Sequence, residues 1–443
     1  MPRRVVITGI GATSAFGVGI DPLWSALTEG RSGIRRIERF DPSGFNCHFA
    51  GELLPDAFKI RDVVPKSYRK ATKVMCRDIE LAVAAADAAV HDAGLTTKAT
   101  DPDVEPTYPP GRMGCQIGAG LIAADVDELT AALVNSRRDD GTVDLADWGA
   151  NGMQNLTPLW LLKYLPNMLA CHVTIIHDAR GPSNTITCTE ASGGLSLGES
   201  VRVIARGGAD VCMTGGAEFK INPMAFFRQN CAKRLAQTTG DEDPTTIVRP
   251  FGGDARGTLL GEGGGILIVE ALETSQQRGA RPIAEVAGCA STQSQCANSI
   301  SYDIEPDDPG LGDAIELAIQ QAGIGPEDVD AIVPFGSGMP TTDRAEAAAI
   351  QHVFGRRAKD IPLITTVPFT GNCNAGNNAL ALCIGAQAIR TQTLPARLNT
   401  TGVETLNANA CDAQPAKLEH VLVFSSSQGG QNSAVVLRRA EGT

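Results

Sequence analysis

The sequence predicts an α/β fold made of two similar halves. Two observations carry this. Short runs rich in β-branched and apolar residues alternate with longer helical stretches along most of the chain, and both the early and the late part finish on a pair of strands. A third agrees with them. With 443 residues the chain is long enough for two to four domain-sized units.

The elements follow in order. Residues 4–9 (RVVITG) read as a buried strand running into a turn at Gly9 and Gly11, and residues 20–29 as a short helix. The stretch 73–93 is dominated by alanine and long side chains, which predicts a helix, with Gly94 as its stop. Residues 97–110 hold four prolines and predict a surface loop. A strand is expected at 112–118. Charge and glycine rise over 137–153, as in an exposed excursion, and LTPLWLLKYLPNMLACHVTI is expected to return to apolar packing. Strands are expected at 184–188, 209–214 and 264–270. A second cycle then predicts a strand near 281–289, a helix at 311–323, a strand at 330–334, a helix at 343–354, a strand at 361–366 and a helix at 375–390. It closes on strands at 419–425 and 432–438. The two halves are set at 1–265 and 266–443.

Composition narrows the function classes. Apolar residues make up 43% and charged residues 20%, an ordinary globular mixture. The formal charge of -12 argues against a nucleic-acid partner, since phosphate binding needs clustered Lys and Arg. The twelve cysteines include no CxxC pair, and free, buried thiols in a reducing cytosol are expected. The N-terminal residues form a strand and turn with no signal-peptide core, and no apolar run reaches the roughly 18 residues of a membrane span. A soluble cytoplasmic protein is expected. None of the six histidines sits in a metal-ligand spacing, and no GxGxxG separates a strand from a helix, so neither a metal nor a nicotinamide cofactor is expected.

The opening RRVVITGIGATSAFGVG and LWSALTEGRSGIRRIERFD, followed in order by RGPSNTITCTEASGG, GADVCMTGGAE, RPFGGDARGTLLGEGGGILIVE and SSSQGGQNSAVVL, resemble the elongating β-ketoacyl-carrier-protein synthases over nearly the whole chain. The resemblance implies a thiolase-like fold of two βαβαβαββ halves, layered α-β-α-β-α, working as a dimer. It also implies a site of one Cys and two His. The Cys, at a strand-to-helix elbow where a helix N-terminus favours the thiolate, takes the acyl group. The two His polarise the malonyl thioester.

The family's positions fall on other residues here. In the elbow block starting at Gly181 and Pro182, the tenth residue, where the nucleophile belongs, is Glu190. The first histidine position, eight before Asp343 and in step with Gly336 and Glu346, is Phe335. The second, after Thr370 and Gly371, is Asn372, and the lysine five residues earlier is replaced by Val367. The gating Phe of the C-terminal loop is replaced by Gln428. Cys188 and Cys373 lie beside these positions and are expected to pack rather than react. Asn372 and the backbone N–H groups of residues 190 and 428 would be the oxyanion donors available to a thioester.

The resemblance points to a chain-length factor, a non-condensing subunit that pairs with an active ketosynthase and shapes its acyl tunnel. Chain-length factors usually carry Gln where this chain has Glu190. The alternatives are a malonyl-carrier-protein decarboxylase or other acyl-thioester enzyme using Glu190, a 3-oxoacyl synthase by overall similarity, and a scaffold. Expected partners are a second copy or an active ketosynthase, and an acidic acyl carrier protein. Arg61, Lys66, Arg69, Lys70 and Lys73 form a candidate basic stretch for the carrier.

Overall fold

A computed structural model describes residues 3–54, 56–295 and 305–440. Of the twelve cysteines, Cys296 lies outside the described residues.

Nine main strands form one continuous sheet path. They are β1 (Val5–Ser14), β2 (Met113–Gly118), β3 (Ser183–Ile186), β4 (Val211–Glu218), β5 (Gly263–Ala271), β6 (Ala284–Gln293), β7 (Ala331–Val333), β8 (His420–Ser426) and β9 (Gln431–Arg439). Their spatial order is β7-β8-β9-β6-β1-β5-β4-β2-β3. Seven helices matter to the site: α1 (Arg77–Asp92), α2 (Met168–His177), α3 (Ser192–Ala205), α4 (Pro223–Cys231), α5 (Gly310–Ala322), α6 (Pro340–Phe354) and α7 (Asn377–Thr391).

The duplication is visible in the pairing. In the first half, β1 and β4 flank β5 antiparallel, and β4, β2 and β3 run parallel. In the second half, β6 and β8 flank β9 antiparallel, and β7 runs parallel to β8. The halves join through β1 and β6, at Val6–Glu285 and Ile7–Ala284. The expected boundary at residue 265 falls inside β5, so the seam lies in the connection between Ala271 and Ala284. The strand expected at 361–366 is reduced to two isolated parallel bridges, Leu363 to Ile332 and Pro362 to Asn407. Pro362 supplies no N–H and the segment turns into a short helix at Val367.

Three apolar clusters account for the layering. One packs α1 and α2 on the first half-sheet, a second surrounds α3 and α7, and a third packs α5 and α6 on the second half-sheet. Strands therefore bury both faces. Leu267 and Val269 of β5 enter the central cluster while Ile266 and Ile268 enter the outer one. Such strands read as continuous apolar runs rather than alternating ones. The central helix α7 is buried on every side from Asn377 to Ile389, so it lacks the polar face of a surface helix. Close approach sets the register of α1: a side chain at Gly11 of β1 would collide with the Ala85 carbonyl of α1.

Helix α1 begins at Arg77 rather than at 73, because residues 71–74 wind as a 3-10 turn before Cys76 takes an extended N-cap conformation. The excursion expected at 137–153 is largely exposed. Of the apolar segment 156–175, the first part does not return to the core, since Leu159 is 65% and Leu161 57% exposed, whereas Leu169, Ala170 and Val173 on α2 do. Among the described residues no helix is long and apolar enough to cross a membrane.

Candidate functional site

Two elbows of similar build face each other. Strand β3 runs into Cys188, then a 3-10 turn at Thr189–Ala191, then α3. Thr189 has a φ of 38°, a left-handed conformation that a β-branched residue rarely adopts. In the second half, Gly371 and Asn372 lead to Asn374, with a φ of 47°, and then into α7. Strain of this kind persists only where the surroundings over-determine it.

Glu190 sits on the first elbow with no solvent exposure. Its Oε1 accepts hydrogen bonds from Asn372 Nδ2 at 3.0 Å and from Arg234 Nη2 at 2.5 Å. Arg234 lies just beyond α4 and is 4% exposed. Its Nη1 also donates to Gln229 Oε1 at 2.6 Å and to Gln428 Oε1 at 3.4 Å. The Gln428 backbone N–H donates to Thr189 Oγ1 at 3.1 Å, which closes a ring of four residues. The structure thus brings Glu190, Asn372 and Gln428 together, with Arg234 at their centre. A buried carboxylate needs hydrogen-bond donors or a counter-charge, and at Glu190 Arg234 and Asn372 supply both.

Asn372 is fixed through its backbone as well. Its N–H donates to Leu259 O at 2.7 Å, and its carbonyl accepts from Gly261 N at 2.9 Å. Its Oδ1 accepts from Asn374 N at 2.8 Å. Two of the three expected oxyanion donors are therefore committed, the Asn372 amide to Glu190 and the Gln428 N–H to Thr189.

Phe335 and Val367 lie in the first apolar cluster, with Phe335 1% exposed. The Phe335 loop is pinned by two fully buried carboxyls on α6. Glu346 accepts from the N–H groups of Phe335 at 3.1 Å and Gly336 at 2.8 Å. Asp343 accepts from Ser337 N at 2.9 Å, Gly338 N at 3.1 Å and Phe251 N at 2.8 Å. Burial pushes Asp343 up to about 6 and, with the Asp343 charge adding, Glu346 up to about 8, against the downward pull of these bonds. A scaffold for holding residue 335 in place is complete although the residue is a phenylalanine.

Cys373 is fully buried, and burial pushes its thiol up. Burial also raises half-buried Cys188. Neither thiol is poised as a nucleophile. The expectation of buried thiols fails at Cys231, which is exposed at the end of α4.

A second buried ion pair supports the Asn374 turn. Glu218, at the end of β4, pairs with Lys220, and its Oε2 accepts from Ala375 N at 2.8 Å. Lys220 Nζ also donates to Leu121 O at 2.6 Å. Gly120 packs so tightly on the Glu218 carboxylate that any side chain there would overlap it. Nothing in the spacing of these residues marks them before folding. Among the described residues no cluster of three or more His, Cys, Asp or Glu is arranged for a metal.

A five-layered duplicated fold with its site between two helix-leading elbows defines a thiolase-like protein. Residues 2–275 match the β-ketoacyl synthase N-terminal domain and residues 283–401 the C-terminal domain, so the chain belongs to the β-ketoacyl synthase family. It is 29% identical to 3-oxoacyl-acyl-carrier-protein synthase 2 of Staphylococcus aureus (strain COL) over 445 residues, covering 99% of each chain. Among solved structures it resembles the ishigamide ketosynthase/chain length factor with a TM-score of 0.82 and 28% identity, covering 99% of this chain and 100% of that one. It also resembles a type II PKS ketosynthase solved with its acyl-carrier protein, with a TM-score of 0.81 and 25% identity over the full length of both.

Proposed function

We propose that this chain is a non-condensing ketosynthase-like subunit that pairs with an active ketosynthase and shapes its acyl tunnel. The carrying observation is the clamp on Glu190. At the position aligned with the family nucleophile stands a carboxylate with no exposure, held by Arg234 and Asn372. A carboxylate is a weak nucleophile toward a thioester, and pairing with a guanidinium weakens it further. It would also oppose the enolate that decarboxylation forms.

The surface supports a partner. Leu133, Val134, Leu145, Met153, Leu159 and Leu161 are exposed on the excursion, and Ile175 is exposed on α2. Strand β3 ends the sheet path, with Ser183 and Asn184 exposed. Exposed apolar side chains beside an open sheet edge are what a second subunit covers. For the carrier protein, Arg61, Lys66, Lys70 and Lys73 are exposed, and Arg61 and Arg69 line a cleft of about 590 Å³ with Arg39, Lys59 and Arg77. That local positive charge complements an acidic carrier despite the overall -12.

The test incubates the purified chain alone with malonyl- and acyl-carrier proteins and reads the intact mass of both. The expected result is no acyl adduct and no conversion of malonyl- to acetyl-carrier protein. An adduct, or a decarboxylation abolished in Glu190→Gln, overturns the reading.

A further inference from the structure

Three backbone segments meet at the two buried carboxyls of α6. The loop Phe335–Met339 hangs on them through the N–H groups of Phe335, Gly336, Ser337 and Gly338, and Phe251 N–H joins them at Asp343 Oδ2. The loop in turn holds the chain beside it. Gly257 N–H donates to Gly338 O at 3.0 Å, and a side chain on Gly338 would stand 3.0 Å from the Gly257 carbonyl. One residue on, Thr258 N–H donates to Arg234 O at 3.0 Å, and Leu259 O accepts from Asn372 N at 2.7 Å. A continuous run of backbone contacts therefore leads from Asp343 and Glu346 to both residues that clamp Glu190.

The two carboxyls have donors but no counter-cation. They are 3% and 0% exposed, one helical turn apart, and among the described residues neither forms an ion pair. The loop itself and residues 363–367, which pack on it, carry no ionisable side chain. Arg249, beside Phe251, pairs with Asp254, and Arg256, beside Gly257, pairs with Glu242. Arg397 commits its guanidinium to Leu363 O, Asn407 and Asn409. On α6 Arg344 is exposed, and His352 faces Glu316 of α5, whose Asp313 is exposed too. Around the ends of α6, Glu327, Asp328, Arg356 and Lys359 are exposed, and Arg357 bonds Pro326 O. Burial and the mutual repulsion of two like charges thus act on the pair without relief, and both acids are raised, Glu346 the further.

We infer that Asp343 and Glu346 form a proton-held latch: with Glu346 protonated the loop stays closed and keeps the Arg234 and Asn372 segments in place, and loss of that proton to solvent loosens all three. An open loop exposes Glu346 to water, where its carboxyl ionises near the ordinary 4.5, whereas the closed form holds the proton up to about 8. Opening is therefore favoured progressively as pH rises between those two values and levels off above the second. The inference does not rest on the subunit reading, because it needs neither a partner chain nor a thioester.

The test is hydrogen exchange by mass spectrometry on the full chain from about pH 5 to about pH 8, with each rate divided by that of an open amide at the same pH. Protection of residues 335–338, of Gly257 and Thr258, and of Asn372 is expected to fall together, by up to about tenfold per pH unit, the slope for one proton released on opening. Strand β2 is expected to show no such fall. Glu346→Gln is neutral at every pH and keeps an acceptor oxygen, so it should flatten the dependence in all three segments. Should that variant not fold, infrared spectra of the wild type take its place, and a protonated-carboxyl band must disappear over the same range. Four results overturn the inference: constant protection in the wild type, a loop that loosens while Gly257, Thr258 and Asn372 do not, an unchanged slope in Glu346→Gln, or no change in the carboxyl band.

Discussion

Arg234 and Glu190 form a salt bridge at 2.5 Å in which the two side chains are 5% and 0% exposed. Removing one member of such a pair leaves the other charge buried and alone, which costs about 3–5 kcal/mol. Arg234→Met and Glu190→Gln are each expected to lose stability on that scale. The double variant should lose clearly less than the sum, as read by urea denaturation in a double-mutant cycle. Strictly additive losses would show that the two groups do not depend on each other.

Gly120→Ala tests the second buried pair. The new methyl group overlaps the Glu218 carboxylate and must drive it from Lys220 and from the Ala375 N–H. A loss of about 1–3 kcal/mol is expected for such overpacking. The same change made in a Glu218→Ala background should add little, because the obstructing group is gone. Thermal melts of the four chains decide it.

His177 gives stability a defined pH dependence. It is 1% exposed, its Nδ1 lies 2.9 Å from Thr97 Oγ1, and burial lowers it to about 4 from an ordinary 6.5. Between those values the unfolded chain binds a proton that the folded chain refuses. The stabilising contribution is therefore complete above about 6.5 and is lost as pH falls through about 4, up to about 3 kcal/mol in all. His177→Asn should flatten that part of the stability–pH curve measured by urea midpoints. An unchanged slope between pH 6.5 and 4 would refute the assignment.

Glu346→Ala removes the acceptor for two loop amides, at Phe335 and Gly336. A lost bond to a buried amide costs about 1–3 kcal/mol, so exchange at these two N–H groups should accelerate about ten- to hundredfold. The amides of Ser337 and Gly338, held by Asp343, should change less. Hydrogen exchange read by mass spectrometry resolves the two groups if cleavage falls between them.

Much of the fold was legible because burial on both faces leaves a plain mark. The strand Gly263–Ala271 is small or apolar at every residue but Glu270, which marks it as central. Helix α3 was less legible: Ser192, Gly193, Gly194, Ser196 and Gly198 are poor helix formers, and tertiary packing overrides their propensity. The excursion misled for the opposite reason. Leu159 and Leu161 look like core residues, but their apolar surface faces outward. At the site, Glu190 and Asn372, picked by counting within the blocks, lie in hydrogen-bond contact, and Phe335 is buried on its own loop. Arg234 could not be picked that way. A buried carboxylate favours a cation, but 38 Lys and Arg residues could supply one, and only the path of the chain after α4 selects among them.

The clamp also constrains the history of the molecule. A neutral residue placed at 190 by itself would strip Arg234 of its counter-ion while leaving the guanidinium inside the protein. Replacing Arg234 first would strand the carboxylate. Either single step descends into a less stable intermediate, so exchanging the pair needs two changes made nearly together. The salt bridge acts as a ratchet that holds residue 190 as a carboxylate on the strained elbow at Thr189.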